Sequence, residues 1–246
     1  MTLQFIYPDW PLNDKVTAFT TCRTGGASLA PFNELNPAIH VGDDKQHVIS
    51  NRNEINQFLG EEFAIKWLNQ THSTRVVDAQ KIIADEVDAD ASYTCHTKVA
   101  CAVLTADCLP LLFSNAEGTC VAAAHAGWRG LADGVIENTI NAMSQVSMPE
   151  FVWMGPAISP KAFEVGPDVY QSFVTRKTAF ESCFKANGED KWNFDIYQAA
   201  RIVFEEAKIK NIYGGTYCTY YDESKFFSYR RDNITGRMAT IIARRE

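Results

Sequence analysis

Three short stretches of the chain set polar, reactive residues into otherwise apolar runs: NQTHS (69–73), LTADCLPLLF (104–113) and AAAHAGWRG (122–130). Each offers one metal-capable side chain just past a strand-like segment: His72, Cys108 and His125. Two imidazoles and a thiolate suit zinc, and three protein ligands with a fourth position open is the arrangement of catalytic rather than structural zinc. The separations are non-local, 36 residues from His72 to Cys108 and 17 from Cys108 to His125. Spacing alone therefore leaves a plainer reading in place, a hydrogen-bonded buried histidine and an inert buried cysteine. The surroundings of Cys108 tilt the balance. It lies between Asp107 and Leu109-Pro110, where a strand must end or bend, and packing gives no reason for an Asp-Cys pair in mid-run.

HAGWRG (125–130) adds a second feature. Gly127 and Gly130 let backbone approach a ligand closely, Arg129 offers a fork for an anion, and a helix follows at once. Such a helix start can receive a phosphate or an oxyanion. An ordinary strand–turn–helix with a surface arginine explains the same residues equally well. TCRTGGAS (21–28), with Arg23, is a weaker Arg-Gly-Gly loop of the same kind. SYRRDNITGR (228–237) supplies Arg230, Arg231 and Arg237, and surface pairing is the expected role for at least two of these three.

The elements that must hold these loops read as alternating strands and helices. Strand-like runs are VTAFTTC (16–22), AIKWLNQ (64–70), KVACAVLT (98–105), LPLLFS (109–114), TCVAAAH (119–125), FVWMGPAI (151–158) and NIYGGTYC (211–218). Helical periodicity runs through LADGVIENTINAMSQ (131–145), DIYQAARIVFEEAK (195–208) and VISNRNEINQFLG (48–60), and more weakly through FEVGPDVYQSFV (163–174). The run 98–105 is apolar on both faces, as in a strand sandwiched between layers. No linker interrupts the alternation, so residues 1–246 are expected to form one α/β or α+β domain.

Composition narrows the function classes. A chain of 246 residues with 46% hydrophobic content can bury a substantial core. The formal charge of −7 and the scattered basic residues argue against nucleic acid as a partner. The N-terminal residues lack the pattern of a signal peptide, and no run approaches the ~18 apolar residues of a membrane span. A cytoplasmic location is the expectation. Seven cysteines without framework spacing are then mostly free thiols, with Cys101 and Cys120 read as small buried hydrophobes.

Taken together, these blocks resemble the YfiH-like laccase-domain family, also described as multicopper polyphenol oxidases or purine nucleoside phosphorylases. TCRTGGAS, VGDDKQHVISNR (41–52), Gln70 and His72 as Q-x-H, TADCLP (105–110), HAGWRG, GPAIS, FEVG, YCT and FFSYRRDNITGR follow one another in the family's order over nearly the whole chain. Two departures stand beside the expected site: Pro37-Ala38 where the family usually has leucine and glycine, and Ser73 in place of a glycine. The resemblance implies a layered α/β/β/α sandwich of mixed sheets, built from two similar halves. It also implies zinc, or alternatively copper, on His72, Cys108 and His125, and phosphorolysis of adenosine, inosine and methylthioadenosine with adenosine deamination at the same site.

Within that expectation Cys108, His125 and Arg129 are the catalytic candidates, and Arg23, Gln70 and Arg129 the substrate-binding ones, for a small-molecule nucleoside and phosphate. Two other chemistries compete. Cys108 with His125 as its base would make a cysteine hydrolase, for example an amidase on peptidoglycan precursors. A multicopper laccase needs many imidazoles, and only His40, His47 and His96 remain. A structural zinc closed by Cys101, Cys120 or His96 is the non-enzymatic alternative.

Overall fold

The computed structural model describes residues 3–83 and 86–245. In chain order the elements that frame the site are β1 (Phe5–Ile6), β2 (Val16–Thr21), α1 (Lys45–Leu59), β3 (Ala64–Lys66), β4 (Val76–Asp78), β5 (Ala91–Thr94), β6 (Val99–Thr105), β7 (Leu109–Ser114), β8 (Val121–Ala126), α2 (Trp128–Asp133), α3 (Val135–Ser144), β9 (Phe151–Met154), α4 (Pro167–Val174), α5 (Ile196–Glu206), β10 (Asn211–Gly214), α6 (Tyr229–Asp232) and β11 (Met238–Arg244).

The strands form two mixed sheets packed face to face. One runs β1-β2-β11-β6-β3 and the other β10-β9-β7-β8-β5-β4. Within these two sheets β3–β6, β9–β10 and β4–β5 pair in parallel and the other described pairs are antiparallel. Side chains that alternate along β6 explain why that run is apolar throughout. Cys101 and Val103 face Leu112, Val121, Ala123 and Trp153 of the other sheet, while Ala100, Ala102 and Leu104 face Ile55 and Leu59 of α1. On the far side, α3 and α5 lay Ile136, Ile140, Val203 and Phe204 over Leu111, Phe113, Ala124 and Val152. The result is the α/β/β/α layering that the family resemblance implies. Both halves share a plan, a mixed sheet with helices outside, though the second is larger.

Local chemistry sets the boundaries. Asp44 accepts from the amides of Gln46 and His47 and starts α1 at Lys45, three residues before the apolar periodicity begins. The expected single helix over 131–145 is two helices, because Gly134 takes a left-handed φ of 102° and separates α2 from α3. AIKWLNQ likewise divides into β3 and a two-residue strand, Leu68–Asn69, paired with Val87–Asp88. FVWMGPAI ends as a strand at Met154, and FEVGPDVYQSFV divides into a short strand, Glu164–Val165, and α4. The sequence reading missed β1, β4 and β5, which are only two to four residues long, and also β11, a seven-residue, almost fully buried strand at the C-terminal end.

Cys120 corrects the expectation of a free thiol: it is disulfide-bonded to Cys95. The Val121–Thr94 pairing of β8 with β5 brings these two neighbours side by side at the strand ends. Five cysteines, Cys22, Cys101, Cys108, Cys183 and Cys218, remain free. Among the described residues no helix is long and apolar enough to cross a membrane.

Two features of this topology create the site. The chain passes from the first sheet to the second through Ala106–Cys108, between β6 and β7. Strand β8 then runs antiparallel to β7 and finishes beside that crossover.

Candidate metal centre

Register brings Cys108 and His125 together. His125 pairs with Pro110 and Ala126 with Leu109, so one further step along the β7–β8 ladder sets Gly127 opposite Cys108. His72 closes the group from the loop that precedes β4. The ligand atoms of His72, Cys108 and His125 all lie within 4.8 Å of one another, and no fourth His, Cys, Asp or Glu joins them among the described residues. The His72 and His125 rings meet edge-on at 4.9 Å. His125 is buried, Cys108 half-buried and His72 exposed, so the trio is walled on one side and open on the other. That leaves a fourth position reachable from outside, as a catalytic metal requires.

Gly127 is fixed by this crowding rather than by its backbone angles, which are ordinary extended ones. A Cβ there would lie 2.8 Å from Cδ2 of His72 and 3.1 Å from Sγ of Cys108. Gly127→Ala should therefore leave the fold intact while displacing two ligands. We expect zinc affinity to fall by about tenfold or more, the scale of a disturbed ligand orientation, with the circular dichroism spectrum unchanged. Zinc affinity equal to wild type by competition with a chelating dye would remove this account of Gly127.

The residue that holds the trio in place is Asp90, which the sequence reading did not single out. Its carboxylate is fully buried and 2.8 Å from Nδ1 of His125. It also accepts from the backbone N–H groups of Thr71, His72 and Ser73 and from the Ser73 hydroxyl. Its own carbonyl accepts the His125 N–H at 2.7 Å. One side chain thus fixes the His125 ring, leaves its Nε2 for a metal, and folds the loop on which His72 takes a left-handed φ of 60°. Ser73, the departure from the family's glycine, is part of this clamp. The only sequence signal was an aspartate immediately ahead of the small, alternating strand β5.

Electrostatics follow from the same contacts. Burial opposes charge on Cys108, yet the facing His125 charge and hydrogen bonds from His125 and His72 outweigh it and bring the thiol down to about 6. Burial likewise opposes charge on His125, but Cys108 and Asp90 push it up to about 9. Burial would raise Asp90, and its hydrogen bonds to His125 and Ser73 hold it below the ordinary carboxylate value. Each group thus favours the charged form of the other, the thiolate of Cys108 and the protonated ring of His125. Thiolate is the form in which cysteine ligates metal.

The crossover turn is itself locked. Asp107 has a φ of 91°, and its carboxylate takes hydrogen bonds from the Thr219 hydroxyl and the Arg230 N–H, both at 2.6 Å. The Asp-Cys pair that packing could not explain is thus an anchor followed by a thiol that faces His72 and His125.

The other expected site residues divide. Gln70 is at the site's edge, but its amide donates to the Leu104 carbonyl at 2.8 Å and accepts from the Leu104 N–H at 2.7 Å. That double bond pattern braces β6 just before the crossover. Arg23 is turned elsewhere. It donates to the carbonyls of Asn33 and Glu223 and stacks on Phe227, and its charged neighbours are Arg231, Asp232, Glu223 and Glu34 rather than the trio. Arg129 is exposed, with its guanidinium 4.2 Å over the ring of Trp128. Arg230 and Arg231 are tied down by backbone carbonyls of Ala162, Glu164, Thr219, Tyr220 and Phe226, and Arg231 also pairs with Asp232. Two groups stand near the trio that sequence reasoning did not place there. Burial pushes Arg237 below its ordinary value while Cys108 and Asp107 support its charge. Burial also lowers His40, and the charges of Arg237, Arg52 and His125 add to that effect against the opposing pull of Glu86.

Comparison with known proteins gives a consistent picture. A family model described as multi-copper polyphenol oxidoreductase laccase matches residues 17–245. A Haemophilus influenzae protein named purine nucleoside phosphorylase is 44% identical over 242 residues, 98% of this chain and 99% of its own length. Escherichia coli K12 has a protein named purine nucleoside phosphorylase YfiH that is 43% identical over 241 residues, 97% of this chain and 98% of its own. A crystallised Neisseria meningitidis protein superposes with a TM-score of 0.94 at 46% identity, covering 98% of this chain and 99% of that one.

Proposed function

The chain belongs to the family described as multi-copper polyphenol oxidoreductase laccase, and from that membership we propose that it is a zinc-dependent purine nucleoside phosphorylase working in the cytoplasm. The substrates of this reading are adenosine, inosine and methylthioadenosine, with deamination of adenosine at the same site. The names of relatives that match nearly end to end support the phosphorylase part. The observation that carries the metal part is the convergence of His72, Cys108 and His125 within 4.8 Å, with His125 oriented by Asp90.

The donor set fits zinc: a soft thiolate, two neutral-capable imidazoles and one open side. The same set also accepts copper, but laccase chemistry needs more imidazoles than the two that meet here. A zinc held by these donors supplies Lewis acidity, to phosphate in phosphorolysis or to water in deamination. The chain's own residues do the rest. Asp90 keeps the proton on Nδ1 of His125, Gly127 leaves room for the two ligands beside it, and Asp107 fixes the turn that presents Cys108. Arg129, exposed and stacked on Trp128, attracts an anion more than it holds one.

In phosphorolysis a phosphate oxygen bonds to the anomeric carbon as the glycosidic C–N bond breaks. The base leaves with the electron pair and takes up a proton, giving free purine and ribose 1-phosphate. The direct test is to incubate the purified protein with inosine and with adenosine, with and without phosphate. Release of hypoxanthine with ribose 1-phosphate only when phosphate is present is the expected result. Conversion of adenosine to inosine should persist without phosphate, because water is then the nucleophile. Base release that ignores phosphate would rule out phosphorolysis.

One observation favours a second reading. Asp90, His125 and Cys108 form an acid–imidazole–thiol series like that of a cysteine hydrolase. In that case the Cys108 thiolate attacks the carbonyl carbon of an amide, as on a peptidoglycan precursor, and the amine leaves with a proton from His125. Water then hydrolyses the thioester to free the acid and the thiol. Iodoacetamide separates the two: Cys108 bound to metal resists labelling in the protein as purified, whereas a catalytic nucleophile labels rapidly and activity disappears with it.

A further inference from the structure

We propose that Arg237 is the residue that holds the oxyanion co-substrate, inorganic phosphate, beside the metal centre. The inference rests on the phosphorylase reading and goes beyond it by assigning the phosphate subsite. Position is the first argument. Strand β11 pairs Met238 with Thr105 at the end of β6. Arg237 therefore sits across from Ala106, at the same crossover that carries Asp107 and Cys108.

Rigidity is the second. The Arg237 N–H donates to Oδ1 of Asn36 at 3.0 Å, and Asn36 is fully buried and itself bonded to Asp43 and to Asn51. Its Nη1 donates to the carbonyls of Thr235 and Gly236 at 2.9 and 3.0 Å. The guanidinium plane is thus set by its own loop, with the Tyr229 ring 5.9 Å away. Nε and Nη2 remain. Among the described residues no acceptor faces them, and no carboxylate forms an ion pair with Arg237.

The other arginines near the centre contrast with this. Arg52 is paired with Glu86 and bonded to the Pro37 carbonyl. Arg231 is committed through both Nη1 and Nη2 and pairs with Asp232. Arg129 and Arg230 are exposed to solvent, so Arg237 differs from Arg230 in burial rather than in its Nη1 bonds. A half-buried guanidinium with no direct ion-pair partner is completed by an anion that bonds its remaining donors. Two free donors in a fixed fork match two oxygens of a phosphate. Surface pairing is the sequence-level expectation for at least two of Arg230, Arg231 and Arg237. Of these three, only Arg231 forms an ion pair among the described residues, with Asp232, and Arg237 does not. The pattern was invisible in SYRRDNITGR because only the β11–β6 register separates it from its neighbours.

The test is steady-state kinetics of the zinc-loaded protein and its Arg237→Gln and Arg237→Lys variants, varying phosphate and inosine separately. Arg237→Gln should raise the KM for phosphate by about ten- to a hundredfold, the worth of one or two charge-assisted hydrogen bonds. The KM for inosine and the zinc content should stay near wild type, and Arg237→Lys should recover part of the loss. An unchanged phosphate KM, an equal rise in both KM values, or loss of zinc would overturn the assignment, the last two by showing a structural role. Should wild type show no phosphate-dependent turnover, the phosphorylase reading fails first. Calorimetric titration of inorganic phosphate into the zinc-loaded protein then decides the subsite alone: binding lost in Arg237→Gln supports it, and no binding to wild type or equal binding to both overturns it.

Discussion

Cys108→Ser will lose both its metal and its phosphate-dependent turnover while keeping its fold. Cys108 is half-buried in a turn whose shape is set by Asp107 through Thr219 and Arg230, not by the thiol. Serine fits the same space. It does not fit the electronic role, because its hydroxyl stays protonated where the Cys108 thiol is brought down to about 6 by the facing His125 and His72. Two imidazoles alone make a weak zinc site. Loss of the metal's Lewis acidity, worth about 4 kcal/mol of transition-state stabilisation, corresponds to about a thousandfold in rate. Zinc content by atomic emission, ribose 1-phosphate formation and the melting temperature together check this. A serine variant that keeps zinc and activity would show that Cys108 is not a ligand.

Asp90→Asn should produce the second-largest effect, on metal binding and on stability together. Asp90 receives five hydrogen bonds at a fully buried position, one from His125 and four from the Thr71–Ser73 segment. An asparagine turns one acceptor oxygen into an NH2 facing those donors. The unsatisfied groups cost about 1–3 kcal/mol of stability, and the freed His125 ring and His72 loop cost about 10–100-fold in zinc affinity. Because the native Asp90 carboxyl lies below its ordinary value, its contribution is present at neutral pH and is lost as pH falls below the usual carboxylate range. Zinc affinity measured by chelator competition, with thermal melts of the apo and zinc-loaded forms, separates the two effects. Equal zinc affinity in variant and wild type would reduce Asp90 to a structural residue.

These predictions show what the sequence could and could not convey. His72, Cys108 and His125 were legible because each interrupts an apolar run at a strand end, a place where packing gives no reason for a ligand. The layering was legible in the double-faced apolar pattern of β6 and in the amphipathic helices α1, α3 and α5. Asp90 was not, because its importance lies in five partners spread over the 71–73 loop and β8 that only the folded chain brings to one carboxylate. Gln70 was legible as polar and close but not in its role. Its amide completes a backbone pair at Leu104, a contact no local pattern encodes. The arginines were hardest. Arg23, Arg129, Arg230, Arg231 and Arg237 are alike in sequence. Only the fold distinguishes the exposed Arg129 and Arg230 and the bonded Arg23 and Arg231 from Arg237, which is half-buried with two donors left over. The disulfide between Cys95 and Cys120 depended in the same way on a strand register.

The most direct test of the central claim is metal analysis of the purified protein combined with phosphate-dependent cleavage of inosine, before and after chelation and after zinc is returned. The account predicts about one zinc per chain, the stoichiometry of a single three-ligand site. It also predicts that ribose 1-phosphate formation is lost on chelation and restored by zinc, with Cys108 becoming open to iodoacetamide only in the stripped protein. Absence of metal from an active preparation, with Cys108 freely alkylated and activity indifferent to chelators, would contradict it.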